Sequence, residues 1–276
     1  MTSEGHNVSR WRVSGEIDAT VAVASDLHGT SGDIWLDRIR AEAPDLILCP
    51  GDLLECAAGH DDDVDRGIFQ RVIHSLLWNF NDLLSRRKPG YVRHGEFNPE
   101  KYRRMRENAL AFLTGCAQIA PTYFSPGNHD ALLTHEELRA MRRTGAVFLN
   151  GAWEKHVLSG GTLLIGGLRN DTQKDFLRRF SLQKGYKLLL CHRPELYDAL
   201  IRPYDVNLTV AGHAHGGQWR VLNRGVFAPG QGLLPKYVRG MYENRLAVSA
   251  GLCNTALIPR FGNPPELMIL EIRREV

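Results

Sequence analysis

Apolar residues along this chain gather into short runs of four or five, and five of those runs end in a similar kind of polar turn. Thr20–Ala24 leads into Ser25-Asp26-Leu27-His28, Leu46–Cys49 into Pro50-Gly51-Asp52, and Pro121–Phe124 into Gly127-Asn128-His129-Asp130. Later, Leu188–Cys191 leads into His192, and Leu208–Ala211 into Gly212-His213-Ala214-His215. Runs this short, bounded by Gly and Pro, predict strands. Polar groups just past the carboxyl ends of strands are where open α/β sheets place their sites.

Helical patterns separate the early strands. Ile34, Leu36, Ile39 and Ala43 recur at roughly helical spacing and Pro44 closes that segment. His135–Arg143 reads as a second helix, capped by Thr134 with Glu137 three residues on. Trp153–Val157 and Thr162–Ile165 flank Ser159-Gly160-Gly161 and predict a hairpin. Leu246–Ala250 and Leu267–Ile272 add two strands near the end. With no linker or repeat, one domain over residues 1–276 with a mixed sheet arrangement is expected.

Residues 56–118 stand apart, because they are far more than one crossover helix needs. Phe69, Val72, Ile73, Leu76, Leu77, Phe80, Leu83 and Leu84 fall on one helical face, and Tyr102–Leu113 reads as a second helix. The segment is expected to be a helical insertion beside the site. Its basic run, Arg86 to Arg106, is either a solvated face or a rim that attracts an anionic substrate or lipid headgroup.

Composition narrows the class. The chain is 43% hydrophobic and 24% charged, ordinary for a globular core, and its net charge of +3 does not argue for nucleic acid or membrane. The five cysteines form no C-x-x-C pair and are odd in number, which argues against a disulfide framework and for a reducing, cytoplasmic setting. Met1–Arg12 is polar without an apolar h-region, so no signal peptide is expected, and no apolar run is long enough to cross a membrane. Asp61, Asp62, Asp63 and Asp65 lack the glycine and glutamate of a calcium loop and read as solvated.

The polar turns hold the chemistry. Asp26, His28, Asp52, Asn128, His192, His213 and His215 supply carboxylates, imidazoles and one amide, donors suited to divalent Mn, Fe or Zn. An Asp able to bridge two ions holds them about 3.5–4 Å apart, the spacing used for in-line displacement at phosphorus. Glycines ahead of Asp52, Asn128 and His213 let the backbone turn sharply there. The remaining histidines, His6, His60, His74, His94, His135 and His156, read as ordinary surface or core residues, and Asp130 as a cap of the helix or turn after it, with support of the neighbouring ligands as the alternative. Arg193 reads equally as a substrate contact or as an ion-pair partner of Glu195.

The ordered set D-x-H, G-D, G-N-H, H and G-H-x-H, spread over residues 26–215, resembles the calcineurin-like metallophosphoesterase superfamily. Gly212-His213-Ala214-His215-Gly216-Gly217-Gln218, followed by Ser249-Ala250-Gly251-Leu252, resembles its YkuE-like branch. The resemblance implies an α/β four-layer α-β-β-α sandwich, two mixed sheets flanked by helices. It implies two divalent ions, one held by Asp26, His28, Asp52 and His215, the other by Asp52, Asn128, His192 and His213. His129 would face the phosphate, serving the leaving oxygen as an acid or stabilising charge there. Relatives carry Asp where this chain has Glu55, which would then orient His129 through a longer side chain. Leu168-Arg169-Asn170-Asp171 also departs from the acidic pair usual after that strand.

The implied activity is hydrolysis of a phosphodiester, phosphomonoester or pyrophosphate by metal-activated water. The branch favours diesters, with a small-molecule or lipid-linked substrate. A non-catalytic interaction scaffold of the same fold is the alternative, disfavoured by the complete donor set. A nuclease lacks the long basic, aromatic-interleaved stripe it would need.

Overall fold

The computed structural model describes residues 7–54, 98–130, 133–158, 161–169, 173–222, 224–228, 230–253 and 260–275. Two six-stranded sheets organise the chain. The first takes β1 (Asn7–Gly15), β2 (Ala19–Val23), β3 (Leu46–Cys49), β4 (Thr122–Phe124), β5 (Val147–Phe148) and β16 (Glu266–Arg274), in the order β1-β16-β2-β3-β4-β5. The second takes β6 (Ala152–Leu158), β7 (Gly161–Leu168), β8 (Tyr186–Cys191), β9 (Leu208–Ala211), β14 (Gly240–Tyr242) and β15 (Leu246–Val248), in the order β14-β15-β9-β8-β7-β6. Both are mixed: β16 runs antiparallel to β2 within the first, and β6–β7 is the expected antiparallel hairpin in the second. Two short hairpins lie outside the sheets, β10–β11 (Arg220–Val221 with Arg224–Gly225) and β12–β13 (Phe227–Ala228 with Gly232–Leu233).

The central strand runs, such as Leu46–Cys49 and Leu188–Cys191, are apolar throughout because they are covered on both faces, and alternate residues serve different layers. Val21, Val23, Leu46 and Leu48 meet Leu188, Leu190, Leu208 and Val210 between the sheets. Ala22, Ala24, Ile47 and Cys49 point the other way, onto helices α1 (Asp33–Glu42), α2 (Pro99–Ile119) and α3 (His135–Arg143). Leu189 and Cys191 face helix α4 (Lys174–Ser181) through Phe176, Leu177 and Phe180. The result is the expected order of helices, sheet, sheet and helix.

Local sequence explains the helix ends. Thr134 and Glu137 form a capping box at the start of α3, and α1 stops at Ala43, left-handed with φ 44, just before Pro44. Helix α2 begins at Asn98, whose side chain accepts from the Lys101 amide, and outruns the expected Tyr102–Leu113 at both ends. Ala109, Phe112, Leu113 and Cys116 form its buried stripe, so this part of the 56–118 segment belongs to the helical layer over the first sheet. Asn108 on α2 donates to the Gly29 carbonyl at 2.9 Å, just past His28. Two members of the basic run are paired at the surface, Arg103 with Glu107 and Arg106 with Glu136, both at 2.9 Å. The apolar helix expected over residues 69–84 lies outside the described residues.

Because Phe112 fills the α1–α2 contact, Phe112→Ala is expected to cost about 3–5 kcal/mol in urea unfolding. Leu182→Ser, at a residue 77% exposed, is the control and should change stability little. Equal losses in the two variants would contradict the packing described.

Candidate metal centre

Five turns converge where the carboxyl ends of the two sheets meet. Those after β2, β3 and β4 come from neighbouring strands of the first sheet, and those after β8 and β9 from neighbours in the second. Backbone hydrogen bonds join the first two: Asp26 N to Gly51 O at 3.1 Å, His28 N to Asp52 O at 2.9 Å and Gly29 N to Leu53 O at 2.8 Å. The sheets are joined at the site as well. His213 N donates to Asp26 Oδ1 at 3.1 Å, and His192 Nδ1 lies 2.7 Å from the Pro50 carbonyl.

This convergence strains the backbone. Asp26, His28, Asp52, His213 and His215 all have left-handed φ, between 45 and 65°, a conformation costing about 1–3 kcal/mol at a non-glycine residue. Close approach demands true glycines beside them. A Cβ on Gly127 would overlap Asp52 Oδ1 and lie 2.8 Å from His192 Cγ, and one on Gly212 would run into Ser25 Oγ and Asp26 Oδ2.

The side chains expected from sequence are brought together. Donor atoms of Asp26, His28 and His215 lie within 4.8 Å of one another, as do those of His28, Asp52 and His129, and those of Asp52, His192 and His213. Asp52 and His28 each belong to two of these groups. Asn128 is buried beside them, and both its amide atoms lack a hydrogen-bond partner among the described residues. Glu55 lies outside the described residues.

Electrostatics tests whether a cation fits. A carbonyl oxygen can only accept, so the contact with Pro50 puts the proton of neutral His192 on Nδ1 and aims the Nε2 lone pair at Asp52 Oδ2, 2.9 Å away. Two acceptors that close require a proton or a cation between them. Burial alone would lower the His192 pKa, yet Asp52 outweighs it and lifts it to about 9, so without a cation a proton takes that place. Burial would likewise raise Asp52, but His192, His129 and His28 hold its carboxyl well below the usual range. Burial drives His213 and His215 well below the ordinary imidazole value, reinforced by His192 and Arg260 respectively, leaving them neutral as ligation requires. The orphaned Asn128 amide, neutral imidazoles and buried carboxylates fit a divalent cation.

Some neighbours were legible from sequence only in part or not at all. Asp130, expected as a cap, is fully buried and accepts from the Leu53 amide at 3.0 Å and from the Gly127 amide. It therefore joins the two turns that carry Asp52 and Asn128. Burial and the nearby Asp52 raise its pKa to about 7. Arg260 places Nη2 3.0 Å from His215 Nδ1 and donates to the Ala250 and Cys253 carbonyls. Glu195 reaches to 3.7 Å from His213 Nε2. His156, expected as ordinary, lies 3.0 Å from the Tyr123 hydroxyl, away from the site turns.

Comparison with known proteins bears on the family. The chain is 30% identical to the metallophosphoesterase YkuE of Bacillus subtilis (strain 168) over 138 residues, 46% of each chain. It is 23% identical over 159 residues to the protein YpbG of the same organism, 55% of this chain and 58% of that one. The chain thus spans about half the length of the curated relatives it matches. A solved structure, the calcineurin-like phosphoesterase YfkN from Bacillus subtilis, matches with a TM-score of 0.41 at 9% identity, covering 86% of this chain and 82% of that chain. The sequence model of the calcineurin-like phosphoesterases matches residues 19–217, well over half of the chain and every turn described above. The chain belongs to the calcineurin-like phosphoesterase family, whose members depend on metal.

Proposed function

We propose that the protein hydrolyses a phosphodiester through water activated at a pair of divalent ions. The observation that carries this reading is the position of Asp52, whose Oδ2 lies 3.9 Å from Nε2 of His28, which is grouped with Asp26 and His215, and 2.9 Å from Nε2 of His192, which is grouped with His213. On this reading Asp26, His28, Asp52 and His215 hold one ion, while Asp52, Asn128, His192 and His213 hold the other, with Mn, Fe or Zn suited to the donors. The ions would supply Lewis acidity, activating water and offsetting charge at phosphorus.

The chain's own residues do the rest. Asp52 keeps its ionised form because the surrounding histidines favour it. His192 is oriented by Pro50 so that Nε2 faces inward. His129 is more exposed than the other site histidines, its side chain 22% exposed against 13% for His215 and 0% for His192; its backbone amide donates to Asp52 Oδ1 at 2.9 Å, and its ring Nε2 stands 3.9 Å from Oδ2. An imidazole at the open edge of a buried donor set is suited to give a proton to the leaving oxygen. Glu55 is proposed to orient it.

A substrate panel on metal-stripped protein tests the function. Aryl phosphodiesters should be hydrolysed only after Mn²⁺, Fe²⁺ or Zn²⁺ is added back, and faster than the matching monoesters. Activity unaffected by stripping contradicts the proposal, and a monoester preference overturns its choice of substrate.

His129→Ala should retain both ions and lose roughly 10²–10⁴ in turnover, with a smaller deficit for good leaving groups such as nitrophenol. Loss of metal in that variant would make His129 a ligand instead.

Gly127→Ala should keep the fold but lose metal, because its Cβ would displace Asp52 and His192. Circular dichroism beside elemental analysis separates the two effects, and full occupancy in this variant would show that the close approach is not needed.

A further inference from the structure

Nine large hydrophobic side chains are exposed among the described residues, and six of them, Trp219, Val221, Leu222, Leu233, Leu234 and Phe261, belong to one hydrogen-bonded unit. The unit consists of the β10–β11 and β12–β13 hairpins, with Phe261 bridged to Trp219 alongside. Arg220 N donates to Phe261 O at 2.9 Å, Val226 N to Trp219 O at 2.9 Å, and Leu234 N to Val226 O at 3.0 Å. Its root is the metal-site turn. Val226 N also reaches Gly217 O at 3.3 Å, two residues past His215, and the Asn263 side chain donates to His215 O at 2.6 Å.

Two of the leucines break two local rules at once. Leu222 is 93% exposed with φ 50, and Leu234 is 76% exposed with φ 50. Turn positions with left-handed backbone favour glycine or asparagine, and exposed turns favour polar residues. A leucine there gains almost no burial within the fold while straining the backbone. Residues that violate local preference without a folding gain point to a binding role, as do clustered exposed apolar groups.

The charge of the unit indicates what it binds. From Val206 to Tyr242 the chain has no acidic residue, while Arg220, Arg224, Lys236 and Arg239 are basic. Lys236 is held by Asp198 and Arg239 by Glu266, and Arg224 is exposed next to the Leu222 turn. An exposed leucine in the β10–β11 turn and a second just past β13, with a tryptophan and an exposed arginine in the same unit, match the interface of a bilayer.

We propose that this unit docks the protein on a lipid bilayer bearing anionic headgroups, with Leu222 and Leu234 entering the headgroup–acyl boundary and Arg224 beside the headgroups. The root of the unit adjoins the turn that carries His213 and His215. In combination with the phosphoesterase reading, on which this consequence alone rests, docking would favour a phosphoester borne by a lipid.

Vesicle co-sedimentation of the full chain tests the docking without relying on activity. Wild-type protein should pellet with vesicles of equal parts phosphatidylcholine and phosphatidylglycerol, less so as salt rises, and not with phosphatidylcholine alone. Leu222→Ser with Leu234→Ser should lower the partition constant by roughly tenfold or more, each change removing several buried methylene equivalents. Arg224→Glu should weaken binding to the anionic vesicles further. The double-serine variant should keep its melting temperature, its elution volume in size exclusion, and its metal-dependent turnover of a water-soluble aryl phosphodiester. Wild-type protein that ignores both vesicle types, or a double variant that binds as well as wild type, overturns the proposal. A fall in melting temperature marks the unit as a packing surface within this chain, and a change in elution volume marks it as a contact between two copies; either result also overturns it. Loss of aryl diester turnover in wild type with vesicle binding intact would instead count against the phosphoesterase reading alone.

Discussion

Asp52 is a carboxylate held 1% exposed among imidazoles, with His192 Nε2 only 2.9 Å from one of its oxygens. A charge taken out of water is costly unless it is paired and hydrogen-bonded, and a second acceptor at that distance raises the cost further. The neighbourhood answers this in three ways. The His129 amide donates to Oδ1, the histidines around the carboxylate stabilise its charge, and the pairing with His192 calls for a positive centre between the two groups. Much of the site's architecture follows from keeping that arrangement closed. The left-handed backbone at Asp52 and the missing side chain at Gly127 are both needed to bring the β3 and β4 turns into contact.

A second set of contacts, contributed by residues after the family match, holds Asp26 opposite. Leu252 N donates to Ser25 O at 2.8 Å and Gly251 packs on Asp26. The loop that makes these contacts is fixed by Glu266, which accepts from Ala250 N at 2.9 Å and is itself fully buried against Arg239. Arg260 adds hydrogen bonds to the Ala250 and Cys253 carbonyls and reaches His215. Since Glu266 begins the strand paired with β2, the first sheet supports the same turn from both ends of the chain. The strain of the donor turns is thereby carried by buried polar contacts distributed across both sheets.

The central strands were legible in sequence because burial on both faces leaves them apolar, as in Leu188–Cys191, and the donors because each directly follows such a run; the edge strand Asn7–Gly15, half-exposed and rich in polar residues, was not. The capping box at Thr134 and the hairpin through residues 152–168 were legible for equally local reasons. Arg260 and Glu266 were not, and Asp130's supporting role was only the second option, since their partners lie far along the chain: 77 residues separate Asp130 from Leu53, and 45 separate Arg260 from His215. Helix α2 is longer than its densest apolar pattern because its buried stripe continues past Leu113 to Cys116. The hairpins after His215 have strands of two residues, too short for any periodicity to register.

Anomalous diffraction from crystals of the manganese-loaded protein tests the shared role of Asp52 most directly. Two anomalous peaks about 3.5–4 Å apart with the Asp52 carboxylate between them are the predicted result. A single peak, or two peaks that do not flank Asp52, would contradict the account.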